Sequence, residues 1–396
     1  VVLGQGANAY ADHATVVGQD ASVNEENGTA IGQSSYVSAA GGTAVGQNAE
    51  ATAVDATALG RDASADGLES TALGTLSLAE QDQATAIGHY ATATADDATA
   101  VGANAQATAE NTTALGEGAQ ATDIDATALG EEAQASGLDS TAVGADANAA
   151  GHYATAIGGD ATASEYASTA LGNEATASGE YALAVGHNAD ATADNATAIG
   201  EGSTASGYNS TALGNSAEAS AHDTVALGAE ANASDYASTA LGNEATASGE
   251  YALSVGHYAQ ATADYATAVG ESAAASGYNS TALGNGTQAS GEDAVALGAG
   301  LDQRDRDHHV QKSSAENRHQ IDRDQDIREG PLQVDIPHDD RVEPAAEIAR
   351  SDAHGDPQDQ GDGNRGHAHE QGDTRAIDKP GQEIATQIVN AQRVDA

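Results

Sequence analysis

Over the first three quarters of the chain, hydrophobic and polar positions alternate in short phrases that restart every 14 residues. The phrase is clearest in Ser168-Thr169-Ala170-Leu171-Gly172, followed by Asn173-Glu174-Ala175-Thr176-Ala177. In the first half Thr169 and Leu171 share one face and Ala170 takes the other. In the second, Ala175 and Ala177 share a face and the polar residues take the other. Alternation with period two is the mark of a strand rather than a helix. Each unit therefore predicts two short strands. They are joined at the glycine, where a Cβ would impede a sharp reversal, and again at Ser178-Gly179-Glu180-Tyr181, whose residue types favour turns.

The same glycine recurs at Gly4, Gly18, Gly32 and every fourteenth residue to Gly298, 22 times without insertion or deletion. A repeat this strict, tens of residues long, marks a chain of stacked, equivalent coils. The residue before each glycine is always Val, Leu or Ile, the one before that is nearly always Ala, and the third is usually Thr. All 5 prolines lie after residue 300, so no ladder donor is lost before it. Each strand is expected to pair in parallel with its copy one coil later, at ~4.8 Å per coil, giving a rod of roughly 100 Å. The many alanines predict two closely spaced sheets. The aliphatic residue before each glycine is expected to fill the gap between them, and the alanine before it to face outward as a small apolar stripe that invites another subunit.

A longer copy overlies the coil. Tyr166–Val185 recurs as Tyr236–Val255 with one difference, Ala184 against Ser254, and Ala205–Asn215 recurs unchanged as Ala275–Asn285. Both offsets are 70 residues, or five coils, as expected of a rod that grew by copying blocks.

Composition changes this picture in three ways. The chain has no Phe, Trp, Met or Cys, which argues against an ordinary globular core and removes disulfides and thiolate metal sites. The formal charge is −47, and residues 1–300 hold a single basic side chain, Arg61, against 38 acidic ones. That balance excludes nucleic acid as a partner, since nucleic acid requires a basic face, and direct adsorption to anionic lipid. It leaves two readings open, a solubilised long surface or a salty habitat that screens the charge. No apolar run approaches the 18 residues needed to span a bilayer, so membrane insertion by this chain is not expected. The chain opens on Val1-Val2-Leu3, already inside a repeat, and is read as truncated at its N-terminus, with further sequence upstream.

Residues 301–396 are a second segment: a low-complexity charged tail rich in Asp, Gln, Arg, His and Gly, without the repeat. By composition it is expected to be largely disordered. Only Gln382–Val394 suggests a helix, marginal on its own.

Tandem 14-residue units of the form Ser-Thr-Ala-Leu-Gly-x-x-Ala-x-Ala-x-Gly resemble the head domain of trimeric autotransporter adhesins, the YadA-like head. The resemblance covers residues 1–300, about 21 coils. It implies an all-β fold, a left-handed parallel β-roll or solenoid, expected as a homotrimer of three rolls side by side. It also implies display on a bacterial surface, with the full-length protein anchored in an outer membrane. Attachment would be to an extracellular protein, a glycan or a surface ligand. The repeat framework carries over to Leu171, Gly172, Val185, Gly186, Ile199, Gly200, Leu213 and Gly214. The neck, heptad stalk and barrel anchor that should follow such a head are not recognisable after residue 300. The tail is then either a different linker or an artefact, such as a shifted reading frame.

Candidate chemistry is sparse. His367-Ala-His369 could hold a transition metal weakly, but solvated histidines are the favoured reading. His187 and His257 are duplicated surface residues. Carboxylate columns, densest at Asp96-Asp97 and Glu131-Glu132, lack the Gly-Gly-x-Gly-x-Asp pattern of calcium-binding rolls. No catalytic residues, cofactor or metal are expected, and enzyme activity is not. Tyrosines combine apolar area with a polar tip and are enriched at contact hot spots. The candidate adhesive surface is therefore Tyr153, Tyr166, Tyr181, Tyr208, Tyr236, Tyr251, Tyr258, Tyr265 and Tyr278. Two other classes stand beside an adhesin head: a phage or virus fibre, separable by genome neighbours, and an ice-binding solenoid, weakened because each Thr is followed two residues on by an aliphatic.

Overall fold

A computed structural model gives the fold, and residues 1–299 are described. The tail, the Gln382–Val394 helix and His367-Ala-His369 lie outside the described residues. Each coil contributes a three-residue strand such as Thr169–Leu171 and a two-residue strand such as Thr176–Ala177. All the three-residue strands, with Val2–Leu3 at the start, form one parallel 22-stranded sheet, and the two-residue strands form a second. Register steps by one coil throughout: Leu171 pairs with Val185, and Val185 with Ile199, while Ala177 pairs with Ala191. Among the described residues the strands at either end have one neighbour each, Val2–Leu3 pairing with Thr15–Val17, so the ladders run as stacks along the rod and do not close on themselves.

Main-chain hydrogen bonds follow the same register. The Thr169 N–H donates to the Ala182 carbonyl at 2.8 Å, and the Gly186 N–H donates back to the Leu171 carbonyl at 2.8 Å. In the second sheet Thr176 donates to Ala189 at 2.8 Å and Ser178 to Ala191 at 2.9 Å.

The core is a slab of methyl groups. Ala170, Ala175 and Ala177 are fully buried, Ala182 almost so, and their equivalents repeat along the rod. This reverses one expectation. The alanine before the aliphatic residue points inward, while Leu171, Val185, Ile199 and Leu213 lie on the outer face of the first sheet beside the threonines. The reason is volume. Two sheets in contact leave room for a methyl at each inward site, and close packing makes every added methylene costly. A position that varies freely among Val, Leu and Ile has to be one where volume is unconstrained.

The glycine column is a point of close approach between coils. Gly172 has φ +143°, and a Cβ placed there would lie 2.3 Å from the carbonyl oxygen of Gly186 in the next coil. The residue type is therefore set by the neighbouring coil as much as by the turn.

A finer period runs through the corners. The second and ninth residues after each glycine have left-handed φ, as at Glu174 (58°) and Tyr181 (57°), so such a residue falls at every seventh position. This conformation turns the N–H along the rod: Glu174 donates to the Gly159 carbonyl at 2.8 Å and Tyr181 to that of Tyr166 at 2.9 Å. Asn, Asp and Gly fill many of these corners, as their tolerance of left-handed φ favours.

Candidate functional site

Two outward features run along the rod. The first is the aliphatic column before the glycines. Leu115 is 47% exposed, and Ile157 and Leu213 are each 42% exposed. With coils ~4.8 Å apart, these side chains form a nearly continuous apolar line, with the threonines as a parallel hydroxylic line. Scattered apolar residues on a surface are ordinary, but a contiguous strip marks an interaction surface.

The second feature is the corner eight and nine residues after the glycine, at the far end of the coil from the glycine turn. Here the structure brings together eight of the nine tyrosines singled out from the sequence. Ring centroids lie 5.5 Å apart for Tyr153 and Tyr166, and 5.4 Å for Tyr166 and Tyr181, both edge to face. A second run has Tyr236–Tyr251 at 5.4 Å edge to face, Tyr251–Tyr265 at 5.2 Å stacked, and Tyr265–Tyr278 at 5.7 Å. Tyr208 lies between the runs, 5.8 Å from the ring of His222. Such spacings are those of favourable aromatic pairs. The ladder forms because register places residues 14 apart on top of one another, and a shift of one position at the corner still leaves the rings touching.

Tyr258 is elsewhere. It sits at the glycine corner on the opposite edge, with its ring 3.9 Å from that of His257, as Tyr90 does with His89 at 4.2 Å. His257 in turn has Nδ1 3.9 Å from the Glu271 carboxylate, and Asn188 Nδ2 lies 3.0 Å from His187 Nδ1.

Electrostatics at the tyrosine corner are negative. Partial loss of water contact, then the Tyr236 phenol, the Glu250 carboxylate and the Tyr265 phenol, hold the Tyr251 phenol above its ordinary value. On the opposite edge Tyr258 is raised by a hydrogen bond and charge from Glu244. Carboxylates are pinned along the same corner: Asp194 Oδ1 accepts from the Glu180 N–H at 3.0 Å, and Asp264 Oδ1 from the Glu250 N–H at 3.1 Å. Arg61, the one Lys or Arg among the described residues, is 3.0 Å from Asp62 and remote from the ladder.

Among the described residues no group of three or more His, Asp or Glu is placed to hold a metal ion. A hollow near Tyr10, Asp12, Glu25 and Glu26 is shallow and open. No helix of the described residues is long and apolar enough to cross a membrane.

A parallel β-solenoid of 14-residue coils carrying an apolar line and an aromatic corner places the described residues in the class of elongated repeat proteins. Eleven matches to the family model of the YadA head domain repeat tile residues 1–300. The chain belongs to the YadA head family, the head repeats of adhesin-type trimeric autotransporters. In a comparison with curated proteins the chain has no match.

Proposed function

We propose that residues 1–300 form the adhesive head of a cell-surface protein, three rods packed side by side through their aliphatic columns and presenting the tyrosine corners outward. The longer protein would be held in an outer membrane. The observation that carries this reading is the unbroken column of half-buried to exposed aliphatic side chains from Val17 to Leu283 on the first sheet. Covering a leucine that is already about half-buried contributes ~1 kcal/mol. Repeated over 22 strands, this comes to roughly 20 kcal/mol per chain. Association costs ~4–15 kcal/mol, so a full-length rod can trimerise where a few coils could not. Opposing this is the acidic surface, whose repulsion weakens as salt shortens the Debye length from ~10 Å at 0.1 M to ~3 Å at 1 M. Adhesion then comes from many weak contacts repeated along and around the rod.

The test is the solution mass of the full chain by light scattering, at low and at multi-molar salt. The expected mass is three times 39.1 kDa, with the trimer favoured by salt. The pair Ile157→Glu and Leu213→Glu, both outward, should leave the β circular dichroism unchanged and lower the mass to one chain. A folded monomer at every salt concentration would refute the trimer. Beads carrying the wild-type trimer should attach to matrix-coated surfaces, and failure on every surface tried would refute the adhesive role.

A further inference from the structure

The five-coil copy duplicates a surface as well as a sequence. Tyr166 and Tyr181 stand 5.4 Å apart at 74°, and their copies Tyr236 and Tyr251 stand 5.4 Å apart at 83°. Glu180 and its copy Glu250 adjoin these rings, and Asp194 and Asp264 are each pinned by one carboxylate oxygen to the main-chain N–H of that glutamate. All four tyrosines are more than two-fifths exposed. Each patch thus presents two partly exposed rings with a glutamate beside them, and in the second copy Tyr265 also stacks on Tyr251 at 5.2 Å. A cation over a ring face is attracted by the ring quadrupole. The planar guanidinium does more: it stacks on an aromatic ring while its N–H fork engages a carboxylate, which an ammonium group does less well.

We infer that Tyr166–Tyr181 with Glu180 and Asp194, and Tyr236–Tyr251 with Glu250 and Asp264, are two copies of one binding site for an arginine-rich segment of a partner polypeptide. This rests on the adhesive reading and names the chemistry of what is held. Charge complementarity selects that occupant, because the rod carries 38 acidic groups before residue 300 and would repel an acidic one. The copies are five coils, or ~24 Å, apart. Extended chain spans ~3.3 Å per residue, so about seven residues bridge them, and a partner with two arginine clusters at that spacing gains from engaging both. The second copy extends into Tyr265 and Tyr278, the first into Tyr153, so each site has flanking rings of its own.

The experiment is a fluorescence-anisotropy titration of the full chain with labelled deca-arginine and decalysine peptides at physiological salt. The variant carries Tyr166→Ser, Tyr181→Asn, Tyr236→Ser and Tyr251→Asn, with Asn chosen where the corner needs left-handed φ. Wild type should bind deca-arginine more tightly than decalysine, and the variant should lose about tenfold in affinity for deca-arginine, as a few exposed cation–π contacts at ~0.5–1 kcal/mol each would give. Deleting Tyr166–Asp235 leaves one copy, which a ten-residue peptide can no longer bridge to a second, so deca-arginine affinity should fall toward that of a single site. Equal affinity of wild type and variant would reduce the interaction to diffuse charge and overturn the site. Failure of wild type to bind deca-arginine would overturn it too. Either result leaves the attachment of trimer-coated beads to be decided separately, because that assay uses no peptide.

Discussion

Gly28 and Val23 are one packing solution in two residues. In almost every coil the fourth residue before the glycine is Ala, Ser or Thr and the fifth residue after it is Ala. At Gly28 and Gly42 the first site is empty, and at Val23 and Val37 the second is enlarged. A Cβ on Gly28 would lie 2.5 Å from Val23 Cγ1 and 3.1 Å from Val37 Cγ1, where ~3.5–4.0 Å is needed. Gly28→Ala should therefore cost ~1–3 kcal/mol through overpacking. Val23→Ala alone removes two fully buried methyls and should cost about 2 kcal/mol. Combined, they restore the Ala79–Ala84 pairing at this site and leave only the 3.1 Å approach to Val37, so the double variant should be less destabilised than the sum by at least ~1 kcal/mol. Stability in a stack of coils is local, so the assay is hydrogen exchange at Asn24 and Thr29. Their N–H groups donate to Val37 and Gly42 at 2.9 Å. Each single variant should speed exchange there about tenfold or more, at 1.4 kcal/mol per decade. Strict additivity of the two substitutions would refute the complementary-volume argument.

Three further outcomes follow from single positions. Ser254 is fully buried with no partner for its hydroxyl, and its copy five coils earlier is Ala184, so Ser254→Ala should stabilise by ~1 kcal/mol or more in thermal unfolding; a loss of stability would show that the hydroxyl is satisfied. Gly186→Ala would place a Cβ 2.5 Å from the Gly200 carbonyl oxygen at φ +135°, and should cost at least ~3 kcal/mol and open a protease-sensitive break near residues 180–205; an intact rod would refute the close-approach reading. Burial raises the Asp190 carboxyl above its usual 3.8, so the folded chain holds that proton longer than the unfolded one. Its contribution therefore turns more destabilising as pH rises through the carboxylate range. Asp190→Thr, matching its register neighbours Thr176 and Thr204, should then raise the melting temperature at pH 7 and change little at pH 3.

The coil, its two strands and its parallel register were legible because Gly172 and its equivalents recur without error and because alternation on either side of them has period two. The facing of the sheets was not. Thr169-Ala170-Leu171 says only that Ala opposes Thr and Leu, and large apolar residues ordinarily face inward. The information lay in the variability of the aliphatic position against the constancy of alanine. The left-handed corners were hidden for a different reason. Leu76, Ala167 and Tyr181 occupy them although their types do not favour φ > 0, because the N–H bond to the previous coil holds the corner. The tyrosines were legible as a set from their common offset after the glycine. Tyr258 fell outside it because it follows its glycine by two residues, which puts it on the other edge.

The stacking of one coil on the next has a mechanical consequence. A coil of 14 residues advances the rod by only ~4.8 Å, whereas the same residues drawn straight reach ~46 Å. Tension applied through a strand such as Val295–Leu297, paired among the described residues with Thr281–Leu283, would peel coils one after another. Each release would lengthen the tether about tenfold relative to the rod it consumes, while the remaining coils keep their register and their surfaces. A cell held by such a head could yield under flow in steps of one coil without giving up the contacts still seated on the intact portion.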